Sequence, residues 1–332
     1  MEPGQSRRLI WTQPDVTRPT FSVASTYFFG TVFLLTTGPD DARGDAIRQI
    51  TKARAEDFIN LETYPIDGGH PERLSAVLTD ARAQLAEDGC CILRNFVRAE
   101  MIPVLAAEGD TVAGFAHRSF NRTNAYFSED DPDLPAHDPR RRFYDRSNAF
   151  VPADHFGPDS GLRAIYEYIP FQTFVRDALE AEKFFRYADP LADVIINLVE
   201  EGDGFPWHFD TNNFTVTLAI QNGEDGGVFE YAPNLRTADD ECYEDVQKVL
   251  DDRSGCVRSL PLTPGDLQIF KGRYSLHRVT PVKGKTPRYV GIFSFVETEG
   301  MVGSVERTKQ LYGRVLPIHY DNTGRRDDTL KD

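Results

Sequence analysis

The chain has 332 residues, 40% of them hydrophobic, which is enough apolar material for a substantial core. Its 37 Lys and Arg residues against 52 Asp and Glu residues give a formal net charge of −15, which disfavours binding to nucleic acid or to an anionic membrane surface. A small-molecule partner is therefore expected, with neither nucleic acid nor membrane involved.

Residues 1–55 are expected to form an extension, loosely attached to the rest of the chain. Their apolar run FSVASTYFFGTVFLLTT, at 21–37, has 17 residues and several hydroxyl groups, whereas a bilayer span needs roughly 20 predominantly apolar residues. An added strand or a loose segment is favoured, and a signal anchor preceded by Arg7 and Arg8 is the alternative. The polar, turn-rich TGPDDARGD at 37–45 then precedes the first periodic sequence.

The next part of the chain, 56–190, is predicted to be mainly helices and loops that support the core. One helix face is formed by apolar residues at helical spacing and ends at Gly89: Leu74, Val77, Leu78, Ala81 and Leu85. CCILRNFV at 90–97 predicts a short strand, and AEMIPVLAAEGDTVAGF at 99–115 predicts a second helix. The Pro-, Asp- and Arg-rich segment 121–158 is interpreted as long loops, and a further helix is predicted over 169–187.

Short strands separated by Gly, Asp, Asn and Pro dominate residues 191–332. The candidates are ADVIINLVEE, FTVTLAIQ, GGVFEYA, GDLQIF and RYVGIFSFVE. FTVTLAIQ alternates strictly between an apolar face and a face that carries Thr215 and Thr217. Helices followed by regularly spaced strands predict an α+β fold in which helices pack on a double-sheet barrel or jelly roll, and we expect 56–332 to form a single domain.

The four cysteines indicate a reducing compartment. Cys90, Cys91, Cys242 and Cys256 show no CxxC spacing, and the adjacent pair would point to opposite faces of a strand. They are interpreted as reduced thiols of a cytoplasmic protein.

Three residues have the pattern of a metal site. His208 and Asp210, in WHFD, lie two positions apart on an extended segment, so their side chains point the same way. His277, in GRYSLHRVTPV, follows an apolar strand and a turn and can supply a third ligand. Two histidines and one carboxylate form the facial triad of non-haem iron(II) oxygenases, which leaves positions open for substrate and dioxygen.

A permanent cation in the core points to a dicarboxylate co-substrate. Arg288 lies eleven positions after His277, on a predicted strand face shared with Val290, Ile292 and Ser294. Burying a guanidinium alone is costly, whereas a bound carboxylate would pair with it. 2-Oxoglutarate fits, because one end can chelate iron while the other reaches Arg288. Thr217 and Ser294, and also Asn213 and Thr215, are candidates for hydrogen bonds to this co-substrate.

Together these motifs resemble a known family. The chain resembles the iron(II)/2-oxoglutarate-dependent oxygenases with a double-stranded β-helix (jelly-roll, cupin-like) core. Its motifs follow the order found in that family: HxD, GGVFEY, GDLQIF, a distal histidine, and an arginine eleven positions beyond that histidine. The chain most resembles the group that contains the radical halogenases and hydroxylases of free amino acids. The resemblance extends from about residue 192 to LYGR at 311–314 and is weaker through the helical half.

The resemblance implies iron(II) held by His208, Asp210 and His277, with 2-oxoglutarate anchored by Arg288 and dioxygen consumed. Halogenases of this group replace the carboxylate of HxD with a small residue, which makes room for chloride on the metal. Because this chain keeps Asp210, hydroxylation of an unactivated C–H bond is expected, with succinate and carbon dioxide as co-products. Desaturation, ring closure and halogenation are the alternatives with the same cofactors.

The substrate is expected to be a free amino acid or a similar small polar metabolite of specialised metabolism. Its carboxylate needs a cation, and the candidates are Arg142, Arg146 and Arg236, with Asn213 as a further substrate contact. Lysine-directed members carry a histidine three positions before the first iron ligand, where this chain has Phe205, so a basic substrate does not follow from the resemblance. A zinc-dependent isomerase or a non-catalytic jelly-roll binding protein is the alternative class, and a homodimer is an open alternative for the assembly.

Overall fold

The computed structural model describes residues 53–321 and Leu330. The helices of this part are α1 (Ala55–Phe58), α2 (Pro71–Asp88), α3 (Ile102–Val112), α4 (Gly161–Glu167), α5 (Ile169–Leu179), α6 (Tyr243–Leu250), α7 (Val305–Tyr312) and α8 (Ile318–Asp321). Residues 1–52, which hold nearly all of the predicted extension and its apolar run, lie outside the described residues. The extension and the single domain over 56–332 therefore stay predictions.

The strands of the described part are β1 (Cys90–Leu93), β2 (His117–Thr123), β3 (Tyr144–Val151), β4 (Phe185–Arg186), β5 (Val194–Val199), β6 (Phe205–His208), β7 (Thr215–Gln221), β8 (Asp225–Gly226), β9 (Phe229–Ala232), β10 (Arg258–Leu260), β11 (Leu267–Phe270), β12 (Leu276–Val279), β13 (Val282–Lys283), β14 (Arg288–Phe293) and β15 (Phe295–Val296). A seven-stranded sheet has the order β1-β11-β7-β14-β5-β3-β2, and a four-stranded sheet has the order β10-β9-β12-β6. Neighbouring strands in both sheets are antiparallel. This confirms the predicted α+β jelly-roll architecture.

The larger sheet has an apolar face towards the helices and a more polar face towards the smaller sheet. On β7, Val216, Leu218 and Ile220 belong to the main core, together with Leu162 of α4 and Phe171 of α5. Thr215 and Thr217, on the opposite face of β7, line a cavity that side chains of both sheets enclose. The alternation in FTVTLAIQ thus separates a structural face from a site-forming face.

The first long helix follows its sequence signals closely. Pro71 occupies the first turn of α2, where its missing N–H removes no helical hydrogen bond. Gly89 ends the helix in the left-handed region at φ 62°, and its N–H donates to the Leu85 carbonyl. The chain then enters β1, whose Cys90 pairs with Phe270 of β11, so α2 is tied directly to the larger sheet.

Two predictions about the helical half are partly wrong. Within 121–158, β2 and β3 form an antiparallel pair that extends the larger sheet, with His117 opposite Phe150 and Thr123 opposite Tyr144. Their polar residues look like loop in the sequence because the inner face of this sheet lines a polar cavity. The helix predicted over 169–187 ends at Leu179, since Glu180 turns into the left-handed region at φ 52°.

The cysteine prediction agrees with the structure, in which all four thiols are free. No helix among residues 53–321 combines the length and the apolar character needed to cross a membrane.

Truncation of a core aromatic ring is expected to destabilise this fold strongly. Phe293 of β14 is fully buried, with its ring centroid 5.4 Å from that of Phe171 and 6.2 Å from that of Tyr166. We expect Phe293→Ala to lower the free energy of unfolding by about 3–5 kcal/mol, because a cavity replaces the ring. Phe120, whose side chain is 75% exposed, is the matched control, and its alanine variant should stay within about 0.5 kcal/mol of the parent. Urea unfolding followed by tryptophan fluorescence measures both, and equal losses would contradict the packing described here.

Candidate metal and co-substrate site

Two paired strands of the smaller sheet bring the predicted metal ligands together. His208 of β6 and His277 of β12 are directly opposite each other in the antiparallel register, and Asp210 follows β6 by two residues. The Asp210 Oδ1 atom lies 3.7 Å from His208 Nε2 and 3.4 Å from His277 Nε2. One ligand atom from each of the three side chains lies within 4.8 Å of the other two. The three predicted ligands can therefore bind a single ion.

Main-chain and hydroxyl groups orient all three side chains. His208 Nδ1 lies 2.8 Å from the Pro206 carbonyl, and His277 Nδ1 lies 2.9 Å from the Ser275 carbonyl. Because a carbonyl only accepts, each Nδ1 carries the hydrogen and each Nε2 keeps its lone pair for a metal. Thr215 Oγ1 donates to Asp210 Oδ2 at 2.6 Å, so one carboxylate oxygen is fixed and Oδ1 faces the imidazoles.

The electrostatics of the triad favour metal-binding protonation states. Burial lowers the pKa of His208 well below its ordinary value, which keeps the imidazole neutral. Burial alone would raise the pKa of Asp210, but the positive charge and the hydrogen bond of a protonated His277, with the hydrogen bond from the Thr215 hydroxyl, hold it below its ordinary value. A metal cation bound at this position would replace that proton and favour the ionised carboxylate in the same way. A neutral imidazole and an ionised carboxylate are the forms that coordinate a divalent ion.

The triad borders a cavity of about 230 Å³ that also contains Arg288. Arg288 shares this wall with Val290, Ile292 and Ser294, as the sequence predicts. Its side chain is buried, and within residues 53–321 it has no hydrogen bond or ion pair. Burial lowers the pKa of Arg288 to about 10, so the guanidinium stays charged at neutral pH. An unpaired buried cation beside a metal triad fits the distal carboxylate of 2-oxoglutarate.

The two predicted hydroxyl contacts of the co-substrate also line this cavity. Thr217 Oγ1 donates to Gln268 Oε1 at 3.0 Å, and Ser294 Oγ donates to the Ala192 carbonyl at 2.7 Å. Since each hydroxyl hydrogen is already used inside the protein, these oxygens face the cavity as acceptors. They therefore suit a water or a protonated group better than a carboxylate.

The remaining candidates separate into one residue in the cavity and three elsewhere. Arg146 lines the cavity. Arg142 instead binds Asp251, with Nη1 2.7 Å from Oδ1, and Arg236 binds Glu241, with Nη1 2.8 Å from Oε2. Asn213 lines a separate depression beside Lys183 and Tyr274. The structure therefore places the side chains of Arg142, Arg236 and Asn213 outside the lining of the metal cavity, and their predicted substrate roles stay predictions.

Several cavity residues were missed by sequence reasoning. Gln268 lies on β11 within a strand that looked apolar, and Arg307, Thr308, Leu311 and Tyr312 come from α7, a helix that the sequence analysis did not predict. Gly272 lies in the turn that precedes His277, and a Cβ placed there would lie 1.9 Å from Asp210 Oδ2. Only the fold reveals this approach, since the two residues are far apart in sequence.

Adding a methyl group at Gly272 is expected to displace the carboxylate ligand. The Gly272 carbonyl also accepts the Asp210 N–H at 3.0 Å, so this backbone cannot withdraw without losing a hydrogen bond. We expect Gly272→Ala to weaken Mn(II) binding by at least about tenfold, because the ligand geometry is lost. Gly157→Ala is the control, since a Cβ at Gly157 meets nothing within 4 Å. Calorimetric titration with Mn(II) measures both, and parental affinity in Gly272→Ala would exclude a carboxylate ligand held in this orientation.

A triad of two histidines and one carboxylate within a double-stranded β-helix, with a buried arginine on the same cavity wall, defines an iron(II)/2-oxoglutarate-dependent oxygenase. Within this class, the chain belongs to the family described as Halogenase D, which matches residues 74–312. The match confirms the predicted class of enzyme, and the matched residues include the three predicted iron ligands and Arg288. No curated protein sequence matches the chain.

The solved structures that match the chain are distant from it in sequence. AviO1 from Streptomyces viridochromogenes Tue57 is 15% identical with a TM-score of 0.46, over 68% of this chain and 97% of that one. A 2OG-Fe(II) oxygenase family oxidoreductase from Burkholderia pseudomallei is 14% identical with a TM-score of 0.44, over 67% and 92%. The epimerase SnoN from nogalamycin biosynthesis is 14% identical with a TM-score of 0.44, over 67% and 84%.

Proposed function

We propose that the protein hydroxylates an unactivated C–H bond of a free amino acid or a similar small polar metabolite. When bound, iron(II) would supply dioxygen activation coupled to oxidative decarboxylation of 2-oxoglutarate to succinate and carbon dioxide. His208, Asp210 and His277 would hold the metal, and Arg288 would hold the distal carboxylate of the co-substrate. The free thiols support a cytoplasmic setting.

The carboxylate of Asp210 is the observation that favours hydroxylation over halogenation. Its Oδ1 lies 3.7 Å from His208 Nε2 and 3.4 Å from His277 Nε2, and its Oδ2 accepts a hydrogen bond from the Thr215 hydroxyl. A carboxylate that coordinates the metal leaves no vacant ligand position of the kind that a halide would need. The family description alone favours halogenation, so the product has to be identified directly.

The cavity supports a small substrate. Besides the metal ligands, its walls carry apolar side chains from the larger sheet, among them Phe150 and Ile195, and aromatic side chains such as Phe229. Apolar walls keep bulk water away from the reacting carbon, while a few polar groups fix its orientation. The volume of about 230 Å³ has to hold both the co-substrate and the part of the substrate that reacts.

The test is a screen of free amino acids and their common derivatives with the full-length protein, iron(II), 2-oxoglutarate and air. We expect at least one compound to stimulate succinate release and to gain the mass of one oxygen atom. Reactions with and without chloride separate the alternatives, because a halogenase would form a chlorinated product only with chloride. A chlorinated product without any hydroxylated product would refute the hydroxylase assignment, and a screen with no stimulation would refute the amino-acid class.

A further inference from the structure

Arg236, in the loop between β9 and α6, is a buried cation that packs against the segment carrying two of the metal ligands. The residue is 2% exposed, and its guanidinium carbon lies 3.9 Å from the ring centroid of Phe209. Phe209 is the residue between His208 and Asp210. A guanidinium is attracted to an aromatic face at this distance. The contact therefore restrains the Phe209 ring and, with it, the backbone that positions both ligands.

The same arginine is bonded to the segment that leads to the third ligand. Arg236 Nε donates to the Arg273 carbonyl at 2.5 Å, and the Arg236 N–H donates to the Tyr274 carbonyl at 3.1 Å. Both carbonyls belong to the turn before β12, whose second residue is His277. Arg236 thus contacts the two segments that between them carry all three ligands of the triad.

The two ligand segments are also joined to each other by hydrogen bonds. Arg273 is fully buried, and its Nη1 donates to the Thr211 carbonyl at 3.2 Å. The Asp210 N–H donates to the Gly272 carbonyl at 3.0 Å. Since Arg236 bonds to the Arg273 carbonyl, the two arginines form one connected set of contacts around the backbone on either side of the carboxylate ligand.

The charge of Arg236 is balanced by an acid of the same loop. Arg236 Nη1 lies 2.8 Å from Glu241 Oε2, and the Glu241 side chain is 12% exposed. Burying a guanidinium is costly even when it is paired. An apolar side chain of similar length could cover the Phe209 ring without that cost. The guanidinium adds what such a side chain lacks, a directed hydrogen bond to the backbone of the second ligand segment.

We propose that Arg236 is a positioning residue of the metal site, which sets the spacing of the two ligand segments through the Phe209 ring and the Arg273 carbonyl. The inference rests on the metal assignment within the proposed function and is independent of the substrate and of the type of oxidation. Groups that orient metal ligands contribute about 10–100-fold to metal affinity. Arg236 is not part of the lining of the metal cavity, so replacing it tests ligand positioning separately from substrate binding.

The experiment measures metal affinity and ligand geometry in the full-length protein without turnover. Calorimetric titration gives the affinity for Mn(II), and the electron paramagnetic resonance spectrum of bound Mn(II) reports the symmetry of its ligands. We expect Arg236→Gln to bind Mn(II) about 10–100-fold more weakly than the parent and to change this spectrum. Arg236→Lys keeps the charge beside Glu241 but loses the planar fork, so its affinity should fall between the two.

A double-mutant cycle shows whether Arg236 acts through the Phe209 ring. Phe209→Leu keeps an apolar side chain between the two ligands but removes the ring against which the guanidinium packs, so it should weaken Mn(II) binding by itself. We expect the double variant to lose clearly less affinity than the product of the two single losses, because both changes break the same contact. Losses that multiply in full would overturn the route through Phe209.

Arg163 of α4 is the matched control for a purely structural effect. Its Nε donates to the Phe156 carbonyl at 2.6 Å, and its Nη1 lies 3.0 Å from Asp193 Oδ2. This guanidinium therefore makes the same two kinds of hydrogen bond as Arg236, but away from the ligand segments. Arg163→Gln should lower the melting temperature of the metal-free protein and keep the parental affinity for Mn(II).

The proposal is overturned if Arg236→Gln keeps both the parental Mn(II) affinity and the parental spectrum, or if Arg163→Gln loses as much affinity as Arg236→Gln. Thermal melts monitor folding, and if Arg236→Gln does not fold, Arg236→Lys and Phe209→Leu decide by the same comparison. Wild-type protein that binds no Mn(II) would refute the metal assignment and the proposed function with it. Parental affinity in Arg236→Gln would refute only the positioning role and leave the proposed function intact.

Discussion

Replacing Asp210 by alanine is expected to abolish hydroxylation, with a loss of at least about 1000-fold in kcat/KM, equivalent to about 4 kcal/mol. The variant removes one of three metal ligands and leaves the Thr215 hydroxyl, which donates to the carboxylate in the parent, without its acceptor. Two imidazoles alone hold a divalent ion less tightly, because the anionic ligand is gone. Succinate release and product mass measure the chemistry, and Mn(II) titration measures the metal.

Thr215→Val is the matched control for Asp210→Ala. It removes the hydrogen bond at Asp210 Oδ2 but leaves all three metal ligands in place. We expect a loss of about 10–100-fold, the usual size for a group that orients a ligand. Near-parental turnover of Asp210→Ala would show that the carboxylate is not a ligand, and equal losses in both variants would show that it acts only through Thr215.

The metal site could be predicted from the sequence because its chemistry is local and its residue types are restrictive. His208 and Asp210 share one strand end, so their spacing of two already places both side chains on one side. His277 could be identified because it follows an apolar strand and a turn, and Arg288 because an isolated cation on an apolar strand needs a partner. The structure brings all four residues to one cavity.

Which face of β7 lines the cavity could not be decided from the sequence, because alternation does not say which face of a strand lies inside a barrel. The apolar face of β7 packs against helices, and the threonine face borders the site. For the same reason β3 was not predicted: its polar residues, among them Arg146 and Asn148, are typical of loops in the sequence, although they belong to a strand of the larger sheet. Nothing in the cluster of arginines at 140–146 distinguishes Arg146, which enters the cavity, from Arg142, which binds Asp251.

The contact between Gly272 and Asp210 shows a second limit of sequence reasoning. A glycine after an apolar strand is ordinarily explained by turn geometry, and GRYSLH gave no other indication. Its significance lies in the 1.9 Å between a hypothetical Cβ and an oxygen of Asp210, which is 62 positions earlier in the chain. The Asp210 N–H also donates to the Gly272 carbonyl, so the approach comes from tertiary packing. Contacts between residues that are distant in sequence leave no periodic pattern in the sequence from which they could be predicted.

Arg288→Ala is expected to raise the 2-oxoglutarate requirement by about 30- to 4000-fold, while the affinity for Mn(II) stays within about threefold of the parent. A carboxylate that loses a buried, charged partner forfeits roughly 2–5 kcal/mol, and each 1.4 kcal/mol is a factor of ten in affinity. A glycine leaves room for the Arg288 side chain, since a Cβ at Gly227 would lie only 2.9 Å from Arg288 Cδ. The dissociation constant of 2-oxoglutarate for Mn(II)-loaded protein is the measurement.

Two further variants, Arg288→Lys and Arg278→Gln, test whether the loss of 2-oxoglutarate affinity is specific to the Arg288 guanidinium. The lysine variant keeps the charge without the two-pronged donor edge and should weaken 2-oxoglutarate binding by about tenfold. Arg278 is paired with Glu230, at 2.7 Å from Nε to Oε2, and lines the neighbouring groove but not the metal cavity, so its glutamine variant should bind the co-substrate normally. If Arg288→Ala needs no more 2-oxoglutarate than the parent, another cation must bind the distal carboxylate of the co-substrate. Arg146 would be the first to test, because its buried Nη1 has no hydrogen-bond partner among the described residues and it lines the same cavity.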